Sequence, residues 1–491
     1  MNLYYGFNHL ESYRSFMEAA RLDPQFAMAY WGQALALGPN INSPMDPADN
    51  KVVFAAVQKA LQYISNSTPI EQALILAISK RYINEAPQDR TSLDVAYANS
   101  MKEAAASFSD NLEVLTLFAE AQMDLHPWNF WNRDGSPKPW TMQTVELIEK
   151  IIGINPLHPG ANHLYIHITE ASTNPGRATA SADRLVNLVP GAGHLVHMPS
   201  HVYIRTGRYE DGVRVNQKAV LADEEYVTQC RAQGIYPLAY YPHNYHFLWA
   251  CAMLSGKNEL SISAANKLAD VIDISLMGSP DLATLQHYYS SPLYSMIRFG
   301  QWKDLLKIPR PEDSLYYAAG IWQFGQGLAQ LRTGDRTKAM NHLLELEKQL
   351  MNPTLNELKI WGFNSFGNIL AIGAHVLRAE IEAQNRNYTT SISILKEAIK
   401  MEDALLYQEP PDWFLPTRQI LGAVLLEADM AKEAEKYFRE DLAVFPSNGW
   451  SLFGLYQSLM KQEKSDEGQK VKVQYDLAFK YADIELTAAR F

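Results

Sequence analysis

The sequence contains only two cysteines, Cys230 and Cys251, in 491 residues. Two cysteines cannot form a disulfide framework, and the sequence has no CxxC pair of the kind that indicates a thiolate zinc site. No apolar run approaches the roughly 18 residues that a membrane-spanning helix needs. The N-terminal residues show no basic segment followed by an apolar core, so no secretory signal is predicted. We expect a soluble globular chain. Its compartment stays open between the cytoplasm and, if the N-terminus has been trimmed, the periplasm.

Positive charge and known cofactor motifs are also scarce. The chain has 43 Lys and Arg against 54 Asp and Glu, which gives a formal net charge of −11. Nucleic-acid binding needs a basic surface, so no nucleic-acid partner is expected. There is no nucleotide-binding motif and no HExxH sequence of the zinc-protease type. Histidine and carboxylate side chains are therefore the main candidates for chemistry.

Histidines recur at a regular spacing between residues 155 and 207. Pro156 and Pro190 are 34 residues apart, which is the length of a tetratricopeptide helix–turn–helix unit. A histidine follows each proline after seven and after eleven residues, and the i, i+4 spacing puts both members of a pair on one helix face. These four residues are His163, His167, His197 and His201.

Helical periodicity extends over most of the remaining chain. Clear amphipathic segments are 9–22, 91–107, 210–222, 449–461 and 468–487. An aromatic loop at 126–140 and an insertion at about 223–241 interrupt the pattern. Insertions in helical repeats often lie on the binding face, and we predict that the insertion at 223–241 forms a lid.

Several short motifs resemble the tetratricopeptide repeat signature. They are Gly207-Arg208-Tyr209, Ala339 after Gly334-Asp335-Arg336, and Ala434 with Phe438 and Pro446. The resemblance implies an all-α fold, a right-handed superhelical solenoid of helix–turn–helix repeats in one domain over 1–491. The histidine-bearing repeats would occupy about 141–310.

Longer segments resemble a bacterial group of tetratricopeptide-repeat proteins that has no established chemistry. These segments are FMEAARLDPQFAMAYWGQALALGPNIN, HMPSHVYIRTGRY, PHNYHF and NGWSLFGLYQSL. This resemblance implies a fold and leaves the function open.

Histidines are concentrated at positions that would face the inside of such a solenoid. In tetratricopeptide-like repeats, the second, fifth, ninth and twelfth residues of each unit line the concave surface. Alignment on the Pro and Gly positions puts eight of the 13 histidines in these slots, where composition alone would put less than one. The eight are His163, His167, His194, His197, His201, His243, His246 and His287.

Clustered histidines predict a metal site. Packed imidazoles are costly to protonate together and have few partners when neutral, and a metal ion resolves both problems. An all-imidazole set suits copper, iron, zinc or nickel, and eight ligands exceed the needs of one tetrahedral zinc ion. A polar pocket for an anionic or aromatic ligand and a structural hydrogen-bond network remain alternatives. The other histidines are interpreted as structural, namely His9, His126, His158, His342 and His375.

Other side chains are predicted to complete the site. Glu170 would be a third ligand or a catalytic base. Arg205, one turn beyond His201, would clamp a substrate carboxylate or phosphate, with an ordinary ion pair as the alternative. Candidate substrate-binding residues are Tyr240, Tyr241, Asn244, Tyr294 and Trp413.

These features favour a metal-dependent enzyme. With copper or iron, it would oxidise or oxygenate a small organic substrate in the concave groove. A zinc-dependent hydrolase on the same site is one alternative. A non-enzymatic tetratricopeptide binding module or metal-binding protein, with a protein or peptide partner, is another. No membrane partner is expected.

Overall fold

The chain folds almost entirely into α-helices. The computed structural model describes residues 1–230 and 236–491, which separate into two compact units. Unit 1 consists of residues 1–202 and 218–241, and unit 2 consists of residues 203–217 and 242–491. The single domain expected from the sequence stays a prediction.

Helices that follow one another along the chain pack together in unit 1. They are α1 (Asn2–Tyr5), α2 (His9–Leu22), α3 (Ala27–Ala36), α4 (Asn50–Gln62), α5 (Pro69–Ile78), α6 (Thr91–Ser107), α7 (Leu112–Asp124), α8 (Thr141–Ile154), α9 (Pro159–Thr169), α10 (Thr179–Leu185) and α11 (Gly193–His197). Two further helices, α12 (Pro199–Arg205) and α13 (Tyr209–Cys230), contribute residues to both units.

Local sequence signals explain where these helices begin and how they pack. Thr68 caps α5, because the Glu71 N–H donates to its hydroxyl while the Glu71 carboxylate accepts from the Thr68 N–H at 2.8 Å. Helices α2 and α3 approach closely at Gly32, where a Cβ atom would lie 2.3 Å from the ring of Phe16. Glycine is therefore required at this contact.

Unit 2 has the same arrangement of helical hairpins. Its helices are α14 (Tyr241–Leu254), α15 (Asn258–Val271), α16 (Leu285–Tyr289), α17 (Ser291–Arg298), α18 (Trp302–Leu305), α19 (Tyr316–Arg332), α20 (Arg336–Gln349), α21 (Thr354–Glu357), α22 (Phe366–Gln384), α23 (Tyr388–Asp403), α24 (Thr417–Glu427), α25 (Ala431–Val444), α26 (Gly449–Lys461) and α27 (Ser465–Ala478). A short antiparallel pair, β1 (Lys359–Ile360) and β2 (Asn364–Ser365), precedes α22.

Residues of the tetratricopeptide signature form the helix contacts of unit 2. The ring of Phe438 on α25 lies between two glycines, and a Cβ atom would approach it within 2.5 Å at Gly422 and 2.2 Å at Gly454. The Tyr209 hydroxyl donates to the carbonyl of Pro446 at 2.8 Å. The predicted all-α, tetratricopeptide-like fold class is confirmed.

Two predicted boundaries are wrong. Helix α13 continues to Cys230 instead of ending at 222, because residues 223–230 extend the same hydrogen-bonded helix. The last helix, α27, ends at Ala478 and not at 487. The loop at 126–140 is irregular as predicted, with one bridge between Trp131 and Pro137. Within the described residues, no helix is both long and apolar enough to span a membrane.

Candidate metal centre

Helix α9 contains the first pair of predicted ligands. His158 caps this helix, because its Nδ1 accepts a hydrogen bond from the Ala161 N–H at 3.2 Å. Pro159 occupies the first helical position, where a missing N–H is tolerated. The i, i+4 spacing then puts His163 and His167 on one face, and both side chains are buried.

Two short helices contain the second pair. Helix α11 ends at His197 and α12 begins at Pro199, which has no N–H to continue the hydrogen-bonded ladder, although Met198 between them keeps helical backbone angles. Across this break, the Nε2 atoms of His197 and His201 lie 2.9 Å apart. His194 lies on the same short helix as His197, and their ring centroids are 5.9 Å apart.

The two helical segments bring three imidazoles together. The Nε2 atom of His163 lies 3.1 Å from that of His194. One ligand nitrogen from each of His163, His167 and His194 lies within 4.8 Å of the others. Two nitrogens bound to one ion at about 2.1 Å are about 3–3.5 Å apart, so this spacing suits a shared metal ion.

Glu170 lies behind the imidazoles and contacts two of them. Its Oε1 is 3.2 Å from Nδ1 of His167, and its Oε2 is 2.5 Å from Nδ1 of His201. An ionised carboxylate can only accept hydrogen bonds, so each Nδ1 bears a hydrogen. Neutral rings then present Nε2 lone pairs, as in carboxylate–histidine–metal sites. A role of Glu170 as a third ligand or a base stays a prediction.

The hydrogen bonds of His197 determine its tautomer. The Ser200 hydroxyl donates to the His197 carbonyl at 2.8 Å, so its oxygen accepts from Nδ1 of the same histidine at 3.3 Å. His197 and His201 therefore both bear hydrogen on Nδ1, and their Nε2 lone pairs meet at 2.9 Å. Two lone pairs at this distance require either an additional proton or a metal cation between them.

The electrostatic environment of His163, His167 and His194 favours neutral imidazole rings. Burial lowers the pKa of His163 and His194 well below the usual value, and the neighbouring imidazoles lower it further. Burial also lowers the pKa of His167, although Glu170 opposes this shift. Burial acts to raise the pKa of Glu170, but the electrostatic interaction with His201 and the hydrogen bonds from both imidazoles bring it down to about 2. Neutral imidazole is the metal-binding form.

Aromatic side chains surround the cluster, and the sequence analysis missed two of them. The ring of Phe7 stacks on His194 at 5.1 Å, and the edge of Trp128 meets His167 at 5.2 Å. Tyr240, predicted to bind substrate, packs against His194 at 5.0 Å. The aromatic run Tyr4-Tyr5-Gly6-Phe7 was the available sequence signal for the contact between Phe7 and His194. Nothing in the sequence near Phe7 indicated that its ring reaches His194.

His9 also lies at the edge of this cluster, although the sequence suggested only a structural role. Its ring stacks on Phe7 at 5.3 Å, and burial lowers its pKa to about 4. Neither ring nitrogen has a hydrogen-bond partner among the residues that the structure describes. The charge of His9 also lowers the pKa of His163, so the two rings are electrostatically linked.

The predicted lid is partly a helix. Residues 223–230 belong to α13, and residues 231–235 lie outside the described part of the chain. The Tyr236 hydroxyl accepts from the His194 N–H at 3.2 Å and donates to the Asp223 carboxylate at 2.7 Å. The end of the insertion thus packs onto the histidine cluster of unit 1.

The other three predicted ligands belong to unit 2. The rings of His246 and His287 are 5.5 Å apart, and each leaves Nε2 without a hydrogen-bond partner in the described chain. The ring centroid of His243 lies 6.4 Å from that of His246. Nδ1 of His287 is 2.8 Å from the Tyr317 hydroxyl, which is 3.1 Å from that of Tyr294. The eight histidines therefore divide into five in unit 1 and three in unit 2.

The remaining substrate-binding candidates are distributed over both units. Tyr241 is the last residue of unit 1 and begins α14, and Asn244 is buried on that helix within unit 2. Trp413 is buried in unit 2, with its ring 6.1 Å from that of Tyr294. A substrate-binding role for these residues stays a prediction.

Arg205 forms an ion pair, which is the alternative to the anion clamp that the sequence left open. Its Nη1 lies 3.8 Å from Oε1 of Glu409, and its guanidinium lies 5.2 Å from the centre of the Tyr407 ring. The predicted anion clamp would have to compete with this carboxylate.

No protein-family model matches the chain, and no curated protein matches it. Among solved structures, a human IFIT1 dimer with m7Gppp-AAAA is 12% identical over 89% of this chain and 87% of that chain, with a TM-score of 0.36. The crystal structure of yeast Tom70 is 13% identical over 97% of this chain and 89% of that chain, with a TM-score of 0.31. Neither likeness bears on what this chain binds or catalyses.

Proposed function

We propose that this protein is a metal-dependent oxidoreductase with its metal centre in the histidine cluster of unit 1. One or two ions, copper or iron in preference to zinc, would bind His163, His167, His194, His197 and His201. The main supporting observation is the 2.9 Å contact between the Nε2 atoms of His197 and His201, whose Nδ1 atoms face the Ser200 hydroxyl and the Glu170 carboxylate. A cation between these atoms removes the repulsion of their lone pairs.

The composition of the site supports a redox metal. The candidate ligands are all imidazole nitrogens, which copper and iron accept as readily as zinc. Five imidazoles are more than one tetrahedral zinc ion needs. The substrate would be a small organic molecule, and the bound metal would supply the electron-transfer chemistry.

Glu170 makes the zinc hydrolase alternative less favourable. A hydrolase needs a base that can take a proton from metal-bound water. Both oxygens of Glu170 already accept hydrogen bonds from imidazoles. Its pKa is brought down to about 2 by the electrostatic interaction with His201 and by those bonds, against the effect of burial. Such a carboxylate is a weak base at neutral pH.

One observation favours a second candidate function, a non-enzymatic metal-binding protein. Each of the five imidazoles is at most 4% exposed to solvent. Deep burial suits a protein that retains its ions and binds a protein or peptide partner elsewhere on its helical repeats. The sequence likeness to bacterial tetratricopeptide-repeat proteins without established chemistry is compatible with either function.

Metal analysis of the purified protein tests the proposal. Mass spectrometry should find at least one equivalent of copper or iron in wild-type protein prepared without chelator. The double variant His197→Ala/His201→Ala should lose this metal, because it removes two converging nitrogens. The matched control His342→Ala/His375→Ala removes two histidines outside the cluster and should keep the metal. A wild-type protein without metal, even after reconstitution, would contradict the proposal and leave a protonated His201 as the explanation of the contact.

Oxygen uptake separates the two functions. Metal-loaded wild-type protein with ascorbate as reductant should consume oxygen faster than the double variant if the site performs redox chemistry. Firm metal retention without oxygen uptake would favour the non-enzymatic metal-binding protein.

A further inference from the structure

Unit 2 contains a cavity of about 240 Å³ that lies between the loop after α23 and the ends of α23 and α25. Its walls combine acidic and aromatic side chains. The acidic residues are Glu402, Asp403, Glu409, Asp412 and Asp441, and the aromatic residues are Tyr407, Trp413 and Phe445. Among the described residues, two cationic side chains, Arg205 and Arg418, line the same space.

The two arginines are matched with two of the carboxylates. Arg418 donates to both oxygens of Asp403 at 2.8 and 2.7 Å. Arg205 pairs with Glu409 at 3.8 Å. The acidic excess of the cavity therefore comes from the other carboxylates.

Asp412 is the carboxylate best placed to meet a ligand. Its side chain is 3% exposed, and its Oδ2 accepts a hydrogen bond from Asn364 at 2.8 Å. Its Oδ1 accepts no hydrogen bond from the described residues, and Nε2 of His287 lies 3.9 Å from it. Burial raises the pKa of Asp412 to about 7, since no cation faces it closely.

Two other groups in the wall support a polar ligand. Glu402 accepts from the Thr417 N–H at 2.9 Å, and burial raises the pKa of its carboxyl to about 7. The indole N–H of Trp413 has no acceptor among the residues that the structure describes, although the side chain is only 1% exposed. Buried polar groups of this kind are usually satisfied by a partner.

Among the described residues of unit 2, this wall lacks the compact group of three ligand atoms that a metal ion needs. Considering unit 2 alone, no three histidine, cysteine or carboxylate ligand atoms of the described chain lie within 4.8 Å of one another. The lining instead combines carboxylates with aromatic rings. An extended organic cation matches both features, because its charged end can reach a carboxylate while its apolar part contacts the rings.

We propose that this cavity of unit 2 binds a small organic ammonium ion, with Asp412 accepting from the ammonium group and Trp413 and Tyr407 contacting its apolar part. Glu402 adds negative charge at the same wall. All residues of this proposed site belong to unit 2, and the proposed binding needs no metal ion.

Calorimetric titration of the full-length protein with benzylamine tests this site. Benzyl alcohol and benzoate are matched probes, because they keep the ring and change only the charged group. Benzylamine should bind about tenfold more tightly than benzyl alcohol, since a charge-assisted hydrogen bond replaces a neutral one. Equal binding of the amine and the alcohol would overturn the proposal. Tighter binding of benzoate would also overturn it and would assign the site to Arg205 as an anion clamp.

Variants locate the binding. Asp412→Asn keeps the shape of the side chain and should weaken benzylamine binding about tenfold, as should Glu402→Gln to a smaller extent. Asp313→Asn, an exposed carboxylate whose side chain is 82% accessible, should leave the affinity unchanged. Unchanged affinity in both cavity variants would overturn the assignment. Because wild-type selectivity among the three probes needs no variant, the proposal stays testable if a substitution prevents folding.

Discussion

The side chain of Glu170 shows how one buried carboxylate can organise several imidazoles. It accepts from Nδ1 of His167 and of His201, and so orients both rings with Nε2 directed away from it. Carboxylates in this position raise the basicity of metal-bound histidines and hold their orientation. Glu170 is therefore a positioning residue in the proposed centre.

Substitution of Glu170 by Gln should weaken metal binding about 10–100-fold, as is typical for groups that hydrogen-bond to metal-bound histidines. The amide keeps the size of the side chain but loses the charge and one of the two acceptor oxygens. Competition with a chromophoric chelator measures the affinity. Glu146→Gln, at an exposed position of α8, is the control. Equal affinities for the two variants would show that Glu170 does not support the ligands.

His287 should make unit 2 sensitive to acid. Burial lowers its pKa to about 3, whereas the unfolded residue titrates near 6.5. Between these values the unfolded state binds the proton and the folded state does not, so the free energy of unfolding falls as the pH falls. The loss from pH 6.5 to pH 5 is about 2 kcal/mol for one such ring.

Urea unfolding at pH 7 and pH 5, with chelator present, measures this effect. The variant His287→Asn should lose about 2 kcal/mol less stability than wild type over this interval. His375→Asn is a control on α22. The same pH dependence in wild type and His287→Asn would show that His287 does not contribute to acid sensitivity.

At the scale of secondary-structure elements, short helices determine where the ligands lie. Helix α11 has only five residues, and Gly193 at its start touches α13. A Cβ atom at Gly193 would lie 1.9 Å from Oδ1 of Asp223 and 3.0 Å from the Ala219 carbonyl. The position of His194 therefore depends on the absence of a side chain in the residue before it.

The variant Gly193→Ala should reduce metal content and destabilise the protein by about 1–3 kcal/mol, because overpacking must move α11 or α13. Metal analysis and urea unfolding together measure the two effects. Gly153→Ala is a matched control in unit 1, since a Cβ atom there meets nothing within 4 Å. Full metal content and unchanged stability in Gly193→Ala would contradict this description of the contact.

On the scale of the whole molecule, the proposed metal couples to folding. The five imidazoles come from positions 163 to 201 and gather only when α9, α11 and α12 are packed, so the unfolded chain offers no comparable site. A ligand that binds only the folded state stabilises it in proportion to the logarithm of its free concentration.

Removal of the metal should therefore lower the melting temperature. At a free metal concentration of about 100 times Kd, bound metal contributes about 2.7 kcal/mol. Thermal unfolding with and without a chelator measures the difference. The His197→Ala/His201→Ala variant should show no response to chelator, and a wild-type protein equally indifferent to it would argue against a metal linked to folding.

The sequence was sufficient to predict the helical hairpins and the local histidine pairs. Helix periodicity, the Thr68 cap and the Pro159 start are local signals, because each depends on residues within one or two turns. The i, i+4 spacing likewise determined that His163 and His167 share a face.

Only the tertiary structure decided which groups meet these histidines. The approach of Phe7 to His194, the contact of Glu170 with His201 and the extension of α13 to Cys230 depend on packing between distant segments. The same packing divided the eight histidines between two units. Sequence periodicity specifies the face of a helix, whereas the neighbour of that face depends on how whole helices fit together, which no local pattern encodes.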